Sequence, residues 1–163
     1  MFPDDIQILA RQVIETAVAR GLVLVTAESC TGGLVAGALT AIAGSSAVVE
    51  RGFVTYSNAS KTDLLAVPAD LIEACGAVSE PVARAMARGA LAGSGADLSV
   101  SVTGVAGPGG GTAEKPVGLV HFSAVGPNGE IHAMHRFGDI GRDQVRLASV
   151  RVALGLLLER MRT

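Results

Sequence analysis

Ser29, Cys30 and Thr31 lie between an apolar run, Leu22-Val23-Leu24-Val25, and a pair of glycines, Gly32-Gly33. A hydroxyl or thiol at such a place can act as a nucleophile. The apolar run reads as a short buried strand, and Leu34 to about Ala43 reads as a helix, packed by small residues over Leu34 to Leu39. A strand-to-helix turn directs free backbone N–H groups and the positive end of a helix dipole at one spot. A developing oxyanion would be stabilised there. The same residues would also serve as an ordinary helix cap with glycines easing the turn, and the segment alone does not choose. It departs from the Gly-x-Ser-x-Gly elbow, with Ala27 and Thr31 where that pattern has glycine.

Three further clusters could join it. Tyr56-Ser57-Asn58-Ala59-Ser60-Lys61 follows a strand-like segment and holds the only tyrosine of the chain. A lysine kept neutral by burial can take a proton from serine, and a tyrosine hydroxyl can shuttle protons or orient the base. A surface tyrosine and a solvated lysine are the plain alternative. Thr103 to Thr112 is a glycine-rich loop, with Gly104, Gly107 and Gly109, that lets backbone approach a ligand. It is neither a Walker loop nor a Gly-x-Gly-x-x-Gly turn. Arg142 and Arg146 sit one turn apart near the start of a C-terminal helix, where an anionic ligand or Asp139 and Asp143 could pair with them.

Other chemistries find no support. His121, His132 and His135 fall in predicted strands, and no His/Asp/Glu set has zinc-ligand spacing. Cys30 and Cys75 are too few for a disulfide scaffold, which fits a reduced, cytoplasmic setting. The net charge of −2 and the absence of a basic stripe argue against nucleic acid as a partner. No run is apolar and long enough to span a membrane, and Met1 to Asp5 has no signal-peptide character.

The elements that must position these residues follow from the pattern. Pro3 to Arg20 reads as an amphipathic helix ended by Gly21, and Val48 to Tyr56 as a β-branched strand. Ser60 begins a short helix, a second piece follows Pro68, and Ser79 opens a helix to Ala92. Asp97 to Thr103 is a buried strand. Pro116 to Val125 and Glu130 to Phe137 form a hairpin across Asn128-Gly129. Arg142 to Met161 is a long helix whose apolar face could complete the core or pair with a second subunit. With 49% hydrophobic and only 3% aromatic residues, the core is built of Ala, Val and Leu. The expectation is one domain, residues 1–163, with an α/β/α three-layer sandwich and a mixed sheet.

Taken in order, Ala27-Glu28-Ser29-Cys30-Thr31-Gly32-Gly33, Gly52 to Asn58 with Lys61, Val78-Ser79, Thr103 to Gly110 and Lys115 to Val120 resemble the CinA C-terminal domain family over nearly the whole chain. The resemblance implies amidase activity on nicotinamide mononucleotide, giving nicotinate mononucleotide and ammonia with no metal or organic cofactor. Long members carry a further N-terminal domain resembling molybdopterin-binding proteins, and the length of this chain matches the stand-alone amidase form. By position, Ser29 matches the nucleophile and Tyr56 and Lys61 its catalytic partners. Cys30, Thr31, Gly32 and Gly33 match the backbone part of the site. Thr103, Gly104, Gly107, Gly109 and Arg142 match regions that shape the substrate pocket, with Arg142, Arg146 or loop amides meeting the phosphate. Two rivals remain open at this level: Cys30 as the nucleophile, and a non-catalytic nucleotide-binding or competence- and damage-related interaction domain.

Overall fold

The computed structural model describes residues 1–162. A five-stranded sheet has the order β2-β1-β3-β4-β5. The strands are β1 (Leu24–Glu28), β2 (Val49–Val54), β3 (Leu98–Gly104), β4 (Leu119–Gly126) and β5 (Gly129–Arg136). β1 pairs in parallel with β2 and β3, while β4 runs antiparallel to β3 and β5 antiparallel to β4. The α-helices are α1 (Asp4–Arg20), α2 (Leu34–Thr40), α3 (Asn58–Leu65), α4 (Ala69–Cys75), α5 (Glu80–Ala92) and α6 (Arg142–Met161). The chain folds as the expected single α/β/α unit with a mixed sheet.

Two cores lie on the two faces of that sheet. Leu98, Val100, Val102 and Phe122 pack with Ile6, Val13, Leu39, Val145 and Leu157 from α1, α2 and α6. Val25 and Ala27 pack with Leu65, Ile72, Val82 and Met86 from α3, α4 and α5. Each fully buried Val or Leu contributes about 1.5–3 kcal/mol. The alternation along β3 explains how its two faces differ. Its aliphatic residues enter the first core, while Ser99, Ser101 and Thr103 point at α5 and the segment before it. Their hydroxyls donate to the carbonyls of Ala87, Ala83 and Ala77. Buried hydroxyls so satisfied cost little and let an alanine-lined helix lie close.

Several boundaries differ from the expectation. β1 runs on through Ala27 and Glu28, because these two residues keep pairing with both neighbouring strands. α2 ends at Thr40, and a 3-10 turn at Ser45–Ala47 precedes β2. α3 starts at Asn58 rather than Ser60, because Ser57 is the cap that accepts the Ser60 N–H. β4 starts at Leu119, after a longer loop than expected.

This topology creates a crevice. From the carboxyl end of β1 the chain leaves toward β2, and from that of β3 it leaves toward β4. Open α/β sheets place ligands at such a switch point.

Candidate active site

At the carboxyl end of β1 the chain makes the turn that carries Ser29. The Ser29 N–H still donates to Val102 of β3, so the residue is fixed to the sheet on one side. Gly32 and Gly33 take φ values of +58° and +98°, which only glycine adopts cheaply. Glu28, wholly buried, turns beneath the loop and accepts hydrogen bonds from the Gly33, Val35 and Ala36 amides. The Gly32 amide donates to the Ser29 carbonyl. The dipole end of α2 is therefore occupied by the protein's own carboxylate. Gly32 and Gly33, expected to face substrate, serve the turn instead, and Thr31 is fully buried beside them. The amides of Cys30 and Thr31 have no protein acceptor among the described residues.

Lys61 comes from α3. Side chains of a helix lean toward its N-terminus, and positions four apart share a face. Lys61 and Leu65 thus form the inner face of α3, and the lysine reaches back toward the end of β2. Its side chain is 1% exposed. Nζ lies 3.1 Å from Ser29 Oγ and 2.8 Å from the Thr55 carbonyl oxygen. No carboxylate pairs with it among the described residues. Burial lowers its pKa below the ordinary lysine range, because desolvation penalises the ammonium form. A neutral Nζ keeps its N–H on Thr55 and offers its lone pair to the Ser29 hydroxyl. That is the arrangement a general base needs.

The neighbouring thiol is not comparable. Cys30 is 5% exposed, and burial pushes its pKa up to about 12. A thiol in that state supplies almost no thiolate near neutrality.

Ser29 and Lys61 open into a cavity of about 300 Å³. Its walls include Cys30, Tyr56, Thr103, Gly104, Gly107, Gly109 and Arg142, all expected from the sequence. Thr31, Gly32 and Gly33 are absent from those walls. Reading the sequence also missed Asn58, Ala77, Val78, Val105, Ala106 and Gly110. Val78 was part of a quoted motif, and the loop residues adjoin the glycines, so both were signalled without being chosen. A larger cavity, about 710 Å³, lies between α3, α4 and α5, and no hydroxyl or thiol lines it.

Tyr56 and Arg142 meet across the mouth. Arg142 donates through Nη1 to the Gly107 carbonyl at 2.7 Å and through Nη2 to the Tyr56 hydroxyl at 2.9 Å. The Tyr56 side chain is largely exposed, and its hydroxyl makes no hydrogen bond to Lys61 or Ser29. The tyrosine thus forms the rim with Arg142, and Lys61 is oriented by Thr55 instead. Arg146 lies behind the nucleophile turn, where it donates to the Cys30 and Thr31 carbonyls. Neither arginine pairs with Asp139 or Asp143. His121 and His132 hydrogen-bond each other on the hairpin, away from the cavity. Among the described residues no helix is long and apolar enough to cross a membrane.

Known proteins share this architecture and sequence. A crystal structure of a competence/damage inducible protein from Agrobacterium tumefaciens superimposes with a TM-score of 0.98 at 56% identity, covering 99% of both chains. A CinA superfamily protein from Escherichia coli gives 0.91 at 37% identity, covering 98% of this chain and 93% of the other. A nicotinamide-nucleotide amidohydrolase PncC from Enterobacter agglomerans is 52% identical over 136 residues, 83% of each chain. A CinA-like protein from Synechococcus sp. (strain RCC307) is 54% identical over 157 residues, and the match spans 96% of this chain but 38% of that longer relative. The sequence profile of the CinA C-terminal domain matches residues 6–161, and with the fold and these relatives this makes the chain a member of the CinA C-terminal domain family.

Proposed function

We propose that the protein is a serine amidohydrolase that converts nicotinamide mononucleotide to nicotinate mononucleotide and ammonia. The observation that carries the reading is the Lys61 amine, buried without a counter-ion among the described residues and 3.1 Å from the Ser29 hydroxyl. The 52% identity to a nicotinamide-nucleotide amidohydrolase supports the substrate.

In this mechanism Ser29 Oγ attacks the carboxamide carbon while its proton passes to Lys61 Nζ. The tetrahedral oxyanion takes hydrogen bonds from backbone amides, with the Cys30 N–H nearest in sequence to the nucleophile. Collapse breaks the C–N bond, and Lys61 returns the proton so that ammonia leaves. Water then attacks the acyl-serine, giving its proton to Lys61, which restores the Ser29 hydroxyl as nicotinate mononucleotide departs. The Thr55 carbonyl holds Nζ in place throughout. Arg142 at the mouth is the cation best placed for the phosphate, which would replace Tyr56 and Gly107 as its partner.

The test is ammonia release from nicotinamide, its riboside, its mononucleotide and its dinucleotide. Wild-type protein is expected to act on the mononucleotide and Ser29→Ala to lose that activity. Normal release by Ser29→Ala overturns the serine scheme. Saturable binding of the mononucleotide by wild type with no ammonia formed would instead mark a nucleotide-binding module.

A further inference from the structure

We infer that Arg146 is a positioning residue for the nucleophile, acting through the backbone of the turn that carries Ser29. The inference rests on the serine amidohydrolase reading above and adds a residue to it. Arg146 is one helical turn beyond Arg142, but where Arg142 reaches Gly107 and Tyr56 at the cavity mouth, Arg146 reaches the Ser29 turn itself. Its Nε donates to the Cys30 carbonyl at 3.2 Å and its Nη2 to the Thr31 carbonyl at 3.0 Å. It has no carboxylate partner among the described residues, so both directions of its fork serve neutral backbone oxygens. A Cβ added at Gly32 would lie 3.3 Å from Nη2, which shows how closely the guanidinium lies over the turn.

Peptide planarity turns this contact into an orientation. In a trans peptide the C=O of one residue and the N–H of the next point in opposite directions. Arg146 holds the Cys30 carbonyl toward α6, so the Thr31 N–H is aimed away from α6. The Gly32 amide likewise holds the Ser29 carbonyl and aims the Cys30 N–H away from it. These are the two amides of the turn that lack a protein acceptor. A cation on the peptide oxygen also polarises the group and strengthens its N–H as a donor. Glu28 fixes the far side of the turn through the Gly33, Val35 and Ala36 amides. With Arg146 removed, the segment between Ser29 and Gly32 loses its anchor to α6 and keeps only the Ser29 tie to Val102 and the Glu28 contacts, so the placement of Ser29 Oγ against Lys61 Nζ loosens. A displacement of about 1 Å there costs on the order of a hundredfold in rate.

Steady-state kinetics of wild type, Arg146→Met and Arg146→Lys on nicotinamide mononucleotide test this, with thermal melting and backbone amide NMR of each. Arg146→Met is expected to lower kcat by about a hundredfold with KM unchanged and the melting temperature close to wild type. Arg146→Lys recovers little, because one ammonium cannot bridge two carbonyls in the same fork. A raised KM with kcat intact makes Arg146 a phosphate ligand and overturns the inference, as does unchanged turnover. If Arg146→Met fails to fold, Arg146→Lys carries the same readouts. If wild type releases no ammonia, the amidase reading fails on its own, and the NMR decides. Cys30, Thr31 and Gly32 amide signals that stay put in Arg146→Met or Arg146→Lys refute the positioning role, and their displacement with an otherwise native spectrum sustains it.

Discussion

Lys61 and Arg84 are both long cations held by the helical layer over the same face of the sheet, yet they are housed in opposite ways. Arg84 on α5 donates to Glu80 at 2.9 Å and to Glu130 of β5 at 3.0 Å, and Arg88 reaches the second Glu130 oxygen at 2.7 Å. Every charge in that group has an opposite neighbour, and the Arg84 side chain keeps 30% of its surface in water. Lys61 has neither advantage, being 1% exposed with only a hydroxyl and a carbonyl for partners among the described residues. A buried cation with no carboxylate costs stability. The fold sustains that cost beside Ser29 and nothing similar at the α5–β5 contact. On the proposed mechanism the difference separates a chemical group from a structural one.

The sharpest way to break that comparison is Lys61→Met. Turnover is expected to fall by about a thousandfold, the middle of the range a general base supplies. Thermal stability at neutral pH is expected to rise, since methionine fills the same slot without a desolvated amine. The sign of the pH dependence follows from the lowered pKa. Above about pH 10.4 the lysine is neutral in both folded and unfolded chains, and no penalty exists. As pH falls below that value the unfolded chain takes up the proton first, so wild type loses stability relative to Lys61→Met until the folded pKa is passed. On the proposed mechanism the activity of wild type is expected to run the same way, rising with pH as Lys61 loses its proton. A Lys61→Met protein that melts lower than wild type across this range, or a pH–rate profile with no basic rise, removes the contrast with Arg84.

How much of this was readable beforehand depends on how far apart the partners lie in the chain. Ser29, Lys61 and the glycine loop stood out because each sits just past a strand, where a parallel topology gathers chain segments at one rim. The start of α3 was misplaced because Ser57 and Ser60 are both competent caps. Ser60 in fact gives its hydroxyl to the Ser57 carbonyl while Ser57 caps the helix. From the sequence Glu28 reads only as part of the turn motif or as an acid assisting a Cys30 nucleophile, not as the group beneath α2. Its carboxylate meets amides five, seven and eight positions onward, a contact that exists only once the chain has reversed into α2. Arg146 is more than a hundred residues from the carbonyls it holds, so no local pattern could separate it from Arg142. Tyr56 carries a proton-transfer expectation from its residue type and from the resemblance, whereas it lies two residues past the end of β2 with its side chain exposed and its hydroxyl on Arg142.

On the paired side of the comparison, Glu130→Gln is the informative change. Burial by itself would raise the Glu130 pKa, but the hydrogen bonds from Arg88 and Arg84 outweigh it and leave the pKa lowered. The amide keeps the size, loses the charge and leaves two guanidiniums short of a partner. Because these side chains are partly exposed, the expected loss is about 1 kcal/mol, seen as a small drop in melting temperature with turnover unchanged. The ion pairs should matter less in high salt, so the variant and wild type converge there. A variant that loses activity without losing stability would connect this cluster to the cavity and blur the distinction.

The hairpin shows a third way to house ionisable groups, by keeping them neutral. His121 Nδ1 and His132 Nε2 are 3.0 Å apart with the rings stacked, so one nitrogen must donate and the other accept. Burial, then the neighbouring His132 and Lys115, lower the His121 pKa to about 4. His132 is lowered as well, chiefly by burial. Above about pH 6.5 both imidazoles are neutral in the folded and the unfolded chain and add no pH dependence. Below it the unfolded imidazoles bind protons while the folded His121 stays neutral until about pH 4, so stability declines across that window. NMR titration should find the His121 ring still neutral at pH 5, with His121→Phe flattening the acid slope of the unfolding free energy and leaving turnover at neutral pH unchanged. An ordinary titration near pH 6.5 in the intact fold would mean that the pair is hydrated rather than shielded. Lys61 would then be the only member of the comparison whose protonation is set by exclusion of water. At neutral pH the effect is the smallest of the set because the imidazoles carry no charge there, whereas Lys61 is held in conflict with its surroundings at every pH below its unfolded value.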